Sequence, residues 1–405
     1  MNIAVAQSGG PTCAINASLL GVYRQALKEK DISHVFGSIN GIEGIIKDEL
    51  VSLNSVVRTN DDMDLLRQTP STVLGSCRYK LPDYETDSAV YEKILNCFER
   101  HGIGAFFYIG GNDSMDTVNK LSQFMKAKNK DIRIIGIPKT IDNDLECTDH
   151  TPGFGSAAKY VAATVQEIIR DSSVYSIDSV TIIEIMGRHA GWLTASTCVL
   201  RANGEVAPHL IYLPENEFSV EDFLEDIRKV RHVHKAVIVA VSEGVKLKKS
   251  EKDYDPKSGI GLVDVFGHEQ LSGIGKTLEK IVFREMGCKV RSIELNVMQR
   301  CSSHLSSNTD ILEAEKIAED AVKAAMSGLT GKMMTFKRLY NTPYTVITEP
   351  VNVEDVANKE KKFPQKWIND AKNNVTNEAV DYFLPLIQGE QIIRMKNGIP
   401  IHYHI

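Results

Sequence analysis

The stretch IRIIGIPKTIDND, residues 132–144, joins an apolar run to a cluster of polar side chains. The apolar part is short and rich in isoleucine, which is typical of a strand that is buried on both faces of a parallel sheet. Pro138 then provides a bend, and Lys139, Asp142 and Asp144 follow it. Ligands of parallel sheets bind beyond the carboxyl ends of the strands, so the polar cluster lies where a ligand is expected.

Similar apolar runs recur along the chain and alternate with segments of helical spacing. The strand candidates are residues 2–7, 105–110, 132–137, 180–185, 236–241 and 292–297. The helix candidates are residues 14–29, 88–100, 115–127, 156–170, 221–231, 276–286 and 311–326, where apolar residues recur every three or four positions. This alternation predicts an α/β fold with largely parallel sheets whose two faces are covered by helices.

Composition excludes several classes of function. The chain has 405 residues, of which 42% are hydrophobic and 25% charged, so it is long enough for two domains. A net charge of −6 gives no reason to expect a nucleic-acid partner, and no apolar run is long enough to cross a membrane. The seven cysteines are dispersed without Cys-x-x-Cys spacing, and the first residues show no export signal. We therefore expect a cytoplasmic protein with reduced thiols.

Glycines and polar side chains follow each predicted strand. In QSGGPTCAIN (7–16) and YIGGNDSM (108–115), paired glycines precede a helix. Free amides at a helix N-terminus suit a phosphate group, although an ordinary glycine turn and a good N-cap would explain the same residues. Arginines occur in LGSCRYK (74–80), MGRHAGW (186–192) and VRSIELNVMQR (290–300), and each is either a phosphate ligand or a surface residue.

The motif PKTIDND (138–144) combines the groups that phosphoryl transfer requires. Transfer needs a base for the incoming hydroxyl, a carboxylate that can hold a metal ion, and a cation beside the oxygens that gain charge. Asp142, Asp144 and Lys139 are side chains of these three kinds. A polar turn is the alternative, but a turn alone does not explain a lysine placed against two aspartates. We therefore favour a phosphoryl-transfer site.

Taken in order, seven motifs resemble the phosphofructokinase family over about residues 1–325: SGGPTCAIN, LGSCRYK, GGNDSM, PKTIDND, MGRHAGW, VSEG and MQR. The resemblance implies two three-layer α/β domains with the active site in the cleft between them. Residues 1–153 would form the larger domain with the phosphoryl-donor site, and residues 154–299 the smaller domain with the sugar-phosphate site. Residues 300–405 would return to the first domain and end in a C-terminal extension.

The resemblance also implies a reaction. In the family, fructose 6-phosphate is phosphorylated at its 1-hydroxyl by ATP or by inorganic pyrophosphate, and Mg²⁺ is the expected cofactor. Sugar-phosphate contacts can come from a neighbouring subunit, so a homodimer or homotetramer is expected. Fructose 6-phosphate and the phosphoryl donor are then the partners of this chain, with no nucleic acid and no membrane.

Carried over position by position, the resemblance gives each motif a role. Asp142 corresponds to the general base, and Lys139, Thr140 and Asp113 complete the expected catalytic group. The expected substrate-binding residues are Thr140, Ile141, Asp142, Met186, Gly187, Arg188, Glu243, Arg291 and Arg300. The expected donor-binding residues are Gly10, Arg78, Gly111 and Ser114, and the expected metal ligands are Asn112 and Asp144. The chain departs from the pattern at Asn112, where many members carry aspartate, at Ser179, where some carry arginine, and at Val297, where some carry histidine.

Two positions predict the phosphoryl donor. Asp113 and Lys139 stand where ATP-using relatives typically carry glycine, and pyrophosphate-using relatives resemble this chain at both. Glycine at 113 would leave space for the α-phosphate and the nucleoside of ATP, whereas aspartate places a negative charge there. Two unit charges about 4 Å apart, at an effective dielectric constant near 20, repel by roughly 4 kcal/mol, or about a thousandfold in binding. The sequence therefore predicts pyrophosphate as the donor.

Three other functions fit parts of the pattern: an ATP-dependent phosphofructokinase, a lipid or NAD kinase, and a non-catalytic sugar-phosphate sensor. PKTIDND and MGRHAGW together argue against the second, and an intact Asp142 and Lys139 argue against the third, because a sensor needs no base. Residues 246–275 are charged and then glycine-rich, which fits either a surface loop or a mobile flap beside the cleft. After about residue 330 we expect a C-terminal elaboration without chemistry of its own.

Overall fold

The computed structural model describes residues 1–247 and 273–405. Within these ranges the larger sheet has seven strands in the order β11-β10-β5-β4-β1-β2-β3. They are β1 (Asn2–Gln7), β2 (His34–Ser38), β3 (Leu50–Ser52), β4 (Ile103–Gly110), β5 (Arg133–Pro138), β10 (Lys332–Asn341) and β11 (Tyr344–Asn352). Neighbouring strands are parallel from β2 to β10, and β3 and β11 pair antiparallel at the two edges. Most of the segment 246–275, expected to be a loop or a flap, lies outside the described residues.

The smaller sheet contains the strands β7-β8-β6-β9, and these pair in parallel. They are β6 (Ser179–Ile185), β7 (Leu210–Tyr212), β8 (Ala236–Ser242) and β9 (Lys289–Glu294). A separate short antiparallel pair is formed by β12 (Met395–Lys396) and β13 (Ile399–Pro400). The expected α/β fold with largely parallel sheets is confirmed.

Helices connect the strands and cover the sheets. They are α1 (Ile15–Ala26), α2 (Ile42–Lys47), α3 (Leu53–Val56), α4 (Asn60–Gln68), α5 (Ala89–Arg100), α6 (Asn112–Ala127), α7 (Phe154–Ser173), α8 (Trp192–Ser196), α9 (Val220–Arg231), α10 (Ile274–Met286), α11 (Met298–Cys301), α12 (Asn308–Met326) and α13 (Asn377–Phe383). Short 3₁₀ helices span Thr197–Asn203, Ser303–Leu305, Val353–Asp355, Gln365–Trp367 and Leu384–Ile387. None of the helices in the described ranges is long and apolar enough to span a bilayer.

The apolar strands form the middle layer of a three-layer arrangement. Successive side chains of a strand point to opposite faces of its sheet. In β4, Phe106 packs in one hydrophobic cluster and Phe107 in another, and in β5 Ile134 and Ile135 divide between the same two clusters. All four side chains are fully buried. Burial on both faces is why these strands appear in the sequence as continuous apolar runs rather than as alternating patterns.

The sequence-based element bounds agree with the structure to within about three residues, with strand β9 as the informative case. The apolar pattern predicted a strand over 292–297, but the strand spans Lys289–Glu294. Its register is set by β6, because Ser179 pairs with Lys289. Asn296 then adopts a left-handed backbone with φ of 44°, which ends the extended conformation. The domain boundaries 1–153, 154–299 and 300–405 stay a proposal, although β10 does pair with β5 of the larger sheet.

Candidate active site

The loops after β1, β4, β5, β6 and β8 converge on one cleft of about 760 Å³. Parallel strands place such loops at the same edge of a sheet, so residues that are distant in sequence become neighbours. The predicted site residues that line the cleft are Gly10, Arg78, Gly111, Asn112, Asp113, Ser114, Lys139, Thr140, Ile141, Asp142, Asp144, Met186, Arg188, Glu243 and Arg300. The cleft is bounded by loops of both sheets.

One wall of the cleft brings cations against glycine backbone. Lys139 is 2% exposed, and its Nζ donates a hydrogen bond of 2.6 Å to the carbonyl of Gly10. A Cβ atom on Gly9, which has a φ of 75°, would lie 3.3 Å from this Nζ. A Cβ atom on Gly10 would lie 3.0 Å from Nη1 of Arg300. The two glycines therefore allow both cations to approach the backbone closely, and a side chain at either position would displace them by a few tenths of an ångström.

The charge of Lys139 is held at a cost. Burial lowers the pKa of its ammonium group to about 8, and the nearby Arg300 and Arg78 lower it in the same direction. Asp142 and Asp144 act against this shift. An anion that enters this wall of the cleft would offset the positive charges, so the wall is suited to phosphoryl oxygens.

Hydrogen bonds within the PKTIDND motif fix the backbone around Asp142. The N–H of Asp142 donates to Oγ1 of Thr140 over 3.1 Å, and Oγ1 of Thr151 donates to the carbonyl of Thr140 over 2.8 Å. The next residue, Asn143, is buried in a left-handed conformation with φ of 54°. Its Nδ2 donates to the hydroxyl of Tyr382 over 3.0 Å. The left-handed residue separates the two aspartates, and both of them line the cleft.

The two carboxyl groups of this motif compete for ionisation. Burial raises the pKa of Asp142, and the positive charges of Lys139 and Arg188 act against that shift. Burial and the charge of Asp142 raise the pKa of Asp144 to about 7. The raised pKa of Asp142 favours its accepting a proton from a substrate hydroxyl, which is the property that a general base requires.

The opposite wall is built by the loops of the smaller sheet. Oε1 of Glu243 accepts the N–H of Gly187 over 3.3 Å, and Oγ of Ser242 donates to the carbonyl of Gly187 over 2.6 Å. Burial raises the pKa of Glu243 to about 7. Nε of Arg188 is buried without a hydrogen-bond partner among the described residues. Met186, Arg188 and Glu243 thus present an apolar surface, a cation and an acceptor to the cleft, while Gly187 supports Glu243 from behind.

Arg291 does not line the cleft of its own chain, and its role as a substrate ligand stays a prediction. Its guanidinium pairs with Asp171 over 3.1 Å, and its side chain is 41% exposed. It lines a separate hollow together with Ser179 and Tyr175. The reason is the register of β9: because the strand begins at Lys289, Arg291 lies near its amino end, whereas the cleft is at the carboxyl ends.

Comparison with known proteins agrees with this geometry. Residues 2–325 match the sequence profile described as phosphofructokinase. The chain belongs to the phosphofructokinase family.

Three relatives of this phosphofructokinase cover nearly its whole length. Proteins named pyrophosphate–fructose 6-phosphate 1-phosphotransferase are 36% identical over 402 residues in Halomonas elongata and 40% identical over 403 residues in Xanthomonas campestris pv. campestris. Each alignment covers 98% of this chain and 94% of the relative. The crystal structure of a pyrophosphate-dependent phosphofructokinase from Marinobacter aquaeolei superposes with a TM-score of 0.87 at 36% identity, covering 99% of this chain and 95% of the other.

One wall of the phosphofructokinase cleft was missed by the sequence analysis. Residues 357–363, ANKEKKF, run along the cleft and are here called the strap. Asn358, Glu360 and Lys362 of the strap line the cleft together with the predicted residues. The region after residue 330 was expected to be an elaboration without chemistry of its own, and the structure places three of its residues in the lining of the cleft. The strap is polar and lacks any helix or strand period, so its sequence contains no signal that indicates this position.

Lys361 anchors the strap to the catalytic loop. Its Nζ donates to Oδ1 of Asn143 over 3.2 Å and to the carbonyl of Asp149 over 2.8 Å, and it lies 4.9 Å from the ring centre of Trp192. Its backbone N–H donates to the carbonyl of Asp144 over 2.8 Å. Its carbonyl accepts the indole N–H of Trp192 over 3.1 Å. One residue of the strap thus connects the loop after β5 with the loop after β6.

The strap also occupies both polar atoms of Asn112. Oδ1 of Asn112 accepts the N–H of Asn358 over 2.6 Å, and Nδ2 donates to the carbonyl of Lys359 over 2.5 Å. The structure therefore gives the Asn112 amide a positional function that the sequence did not indicate. The role of Asn112 as a metal ligand stays a prediction. Of the two predicted ligands, Asp144 is the one with a carboxylate group, which Mg²⁺ prefers.

Proposed function

We propose that this phosphofructokinase transfers a phosphoryl group reversibly from inorganic pyrophosphate to the 1-hydroxyl of fructose 6-phosphate, giving fructose 1,6-bisphosphate and phosphate. The observation that carries the proposal is the buried ammonium group of Lys139, which lies 2.6 Å from the Gly10 carbonyl in a cleft that also contains Asp113. The relatives from Halomonas and Xanthomonas bear the name of this reaction.

The donor would lie against the wall formed by Gly10, Arg78, Lys139 and the first turn of α6. Gly111 and Ser114 belong to that turn, and its free amides and positive dipole end suit a phosphoryl group. The cations stabilise the oxygens that gain charge as the phosphoryl group leaves. Asp113, in the same turn, places a negative charge where ATP would carry its α-phosphate.

The acceptor would lie between the catalytic loop and the wall formed by Met186, Arg188 and Glu243. Asp142 takes the proton of the sugar 1-hydroxyl as the hydroxyl oxygen forms its bond to phosphorus. The bond from phosphorus to the bridging oxygen of pyrophosphate breaks, and phosphate leaves with the electron pair. In the reverse direction, protonated Asp142 returns the proton to the sugar oxygen.

Magnesium fits the oxygen ligands of this cleft. Mg²⁺ prefers carboxylate oxygens and usually binds through one or two of them together with substrate phosphates. Burial and Asp142 raise the pKa of Asp144 to about 7, and a cation beside the two carboxylates would favour their ionised forms. We propose that Asp144 holds the ion. When bound, it would neutralise part of the negative charge of the donor.

We further propose a cytoplasmic homo-oligomer, either a dimer or a tetramer. The exposed side chain of Arg291, directed away from its own cleft by the register of β9, supports a role at a neighbouring subunit. The seven cysteines are unpaired, which supports a reducing compartment. We propose neither a nucleic-acid nor a membrane partner.

The test is a comparison of donors. Initial rates of fructose 1,6-bisphosphate formation are measured with pyrophosphate and with ATP. For the reverse reaction, the rate of fructose 6-phosphate formation from fructose 1,6-bisphosphate and phosphate is measured. We expect turnover with pyrophosphate in both directions and little with ATP. Rapid synthesis from ATP with none from pyrophosphate would refute the donor. Calorimetric binding of fructose 6-phosphate without turnover by either donor would support a sensor instead.

A further inference from the structure

We propose that the strap is a second determinant of the phosphoryl donor: Asn358 closes the path past Asp113 along which the nucleoside of ATP would leave the donor site. The inference rests on the proposed function, because it concerns how pyrophosphate is selected. The effect of the strap on ATP differs physically from the effect of Asp113. The aspartate acts on the phosphate chain through charge, whereas the strap acts on the nucleoside through space.

Three hydrogen bonds hold the strap on the helical turn that carries Asp113. Two of them join the amide of Asn112 to the backbone of Asn358 and Lys359, over 2.6 and 2.5 Å. The third joins Nδ2 of Asn358 to Oδ1 of Asp116 over 3.0 Å. Asn112 and Asp116 are one turn apart on α6, and Asp113 is the residue directly after Asn112. The strap therefore lies across the surface that surrounds Asp113.

Both ends of the strap are fixed, so it is not displaced at little cost. On its N-terminal side, Val356 is fully buried and Ala357 is buried in the same hydrophobic cluster of the larger sheet. On its C-terminal side, Lys361 is hydrogen-bonded to the catalytic loop, and the N–H of Phe363 donates to Oε1 of Glu215 over 2.9 Å. Moving the strap would break these contacts together.

The neighbouring wall is narrow beside its two glycines. A methyl group on Gly9 would meet Lys139 at 3.3 Å, and one on Gly10 would meet Arg300 at 3.0 Å. We infer that a third phosphate and a nucleoside attached to the outer phosphoryl group extend along the first turn of α6, where Asp113 lines the cleft. That direction is bounded by Asp113 and by the strap.

Replacing Asp113 alone therefore removes the charge but leaves the barrier. The test compares wild type, Asp113→Gly, Asn358→Gly and the double variant. Asn358 has φ of 60°, a conformation that glycine adopts freely, so Asn358→Gly removes the side chain while preserving the backbone. For each enzyme, the inhibition constants of ATP and of inorganic tripolyphosphate are measured against pyrophosphate, and ATP is tested as a donor.

We expect tripolyphosphate, which has no nucleoside, to bind at least tenfold more tightly to both enzymes with glycine at 113. ATP should gain at least tenfold more in the double variant than in Asp113→Gly. Lys359→Ala is the matched control, because this strap side chain is exposed and its backbone carbonyl is kept. It should leave both inhibition constants unchanged.

Equal gains for ATP in Asp113→Gly and in the double variant would overturn the inference, as would parallel changes for ATP and tripolyphosphate in every variant. Should Asn358→Gly fail to fold, Asp116→Ala is tested in the same way, because it removes the carboxylate that accepts the hydrogen bond from Nδ2 of Asn358. Failure of the proposed function is distinct, because it would show as efficient use of ATP by the wild-type enzyme.

Discussion

Replacing Lys139 by methionine is expected to stabilise the folded protein while removing most of its activity. Burial is the main reason why the pKa of Lys139 falls from 10.5 to about 8. At 1.36 kcal/mol per pH unit, keeping the ammonium group charged at neutral pH costs about 3 kcal/mol of folding free energy. Methionine removes that cost but leaves the Gly10 carbonyl without its hydrogen bond, at about 1 kcal/mol. The net gain in unfolding free energy at pH 7 is therefore about 2 kcal/mol.

The same substitution removes the cation that faces the donor. For a phosphoryl oxygen at a distance of about 4 Å and an effective dielectric constant near 20, the lost interaction is about 4 kcal/mol. We therefore expect kcat/KM for pyrophosphate to fall about a thousandfold. Stability and activity should change in opposite directions, as expected where a function requires a desolvated charge.

The pH dependence identifies the cause. The folded pKa of Lys139 is depressed, so between about pH 8 and 10.5 the unfolded chain holds more protons than the folded one. The contribution of Lys139 to the free energy of unfolding of the wild-type enzyme therefore rises across that window. The higher unfolding free energy of the methionine variant relative to wild type disappears as a result. Urea unfolding at pH 7 and at pH 9.5 without substrates, together with initial rates, measures both effects.

The matched control for this experiment is Lys359→Met, which changes an exposed lysine of the strap. It should alter neither the free energy of unfolding nor kcat/KM. A Lys139→Met enzyme that is less stable than wild type by the same amount at both pH values would refute the burial cost. Activity within tenfold of wild type would refute the role of the charge.

Three further predictions concern the base, a buried histidine and a helix contact. Asp142→Ser should lower kcat by roughly two to four powers of ten while calorimetry still detects fructose 6-phosphate binding; a near-wild-type kcat would exclude this base. Burial opposes the charge of His150, but Glu313 and a neighbouring aspartate outweigh it and raise the pKa to about 9. The destabilisation caused by His150→Gln in urea should thus be largest below pH 6.5 and shrink by about 3 kcal/mol as the pH rises through 9, and a pH-independent difference would contradict it. Gly21→Ala would place Cβ 2.3 Å from the Glu315 carbonyl oxygen and should cost about 1–3 kcal/mol of unfolding free energy; no change would show that α1 and α12 adjust freely.

Local sequence determined six of the strands and the catalytic loop of this protein. The runs at 105–110 and 132–137 are apolar because both faces of their strands are buried, and that requirement is visible without knowledge of the partners. The residues of PKTIDND are consecutive in the chain, so the sequence alone places their side chains near one another. The rule that parallel strands end at one edge then brought the loops after β1, β4 and β5 together.

Tertiary structure alone decided the position of Arg291 and the existence of the strap. Arg291 is the third residue of β9 and lies near its amino end, whereas the cleft is at the carboxyl ends, and only the folded chain shows its ion pair with Asp171. Asn358 meets Asn112 across more than 200 residues of sequence, and on the side of the strap the contact is made by backbone groups. Such contacts leave no periodicity and no motif, because the path of the chain decides which distant side chains the strap meets.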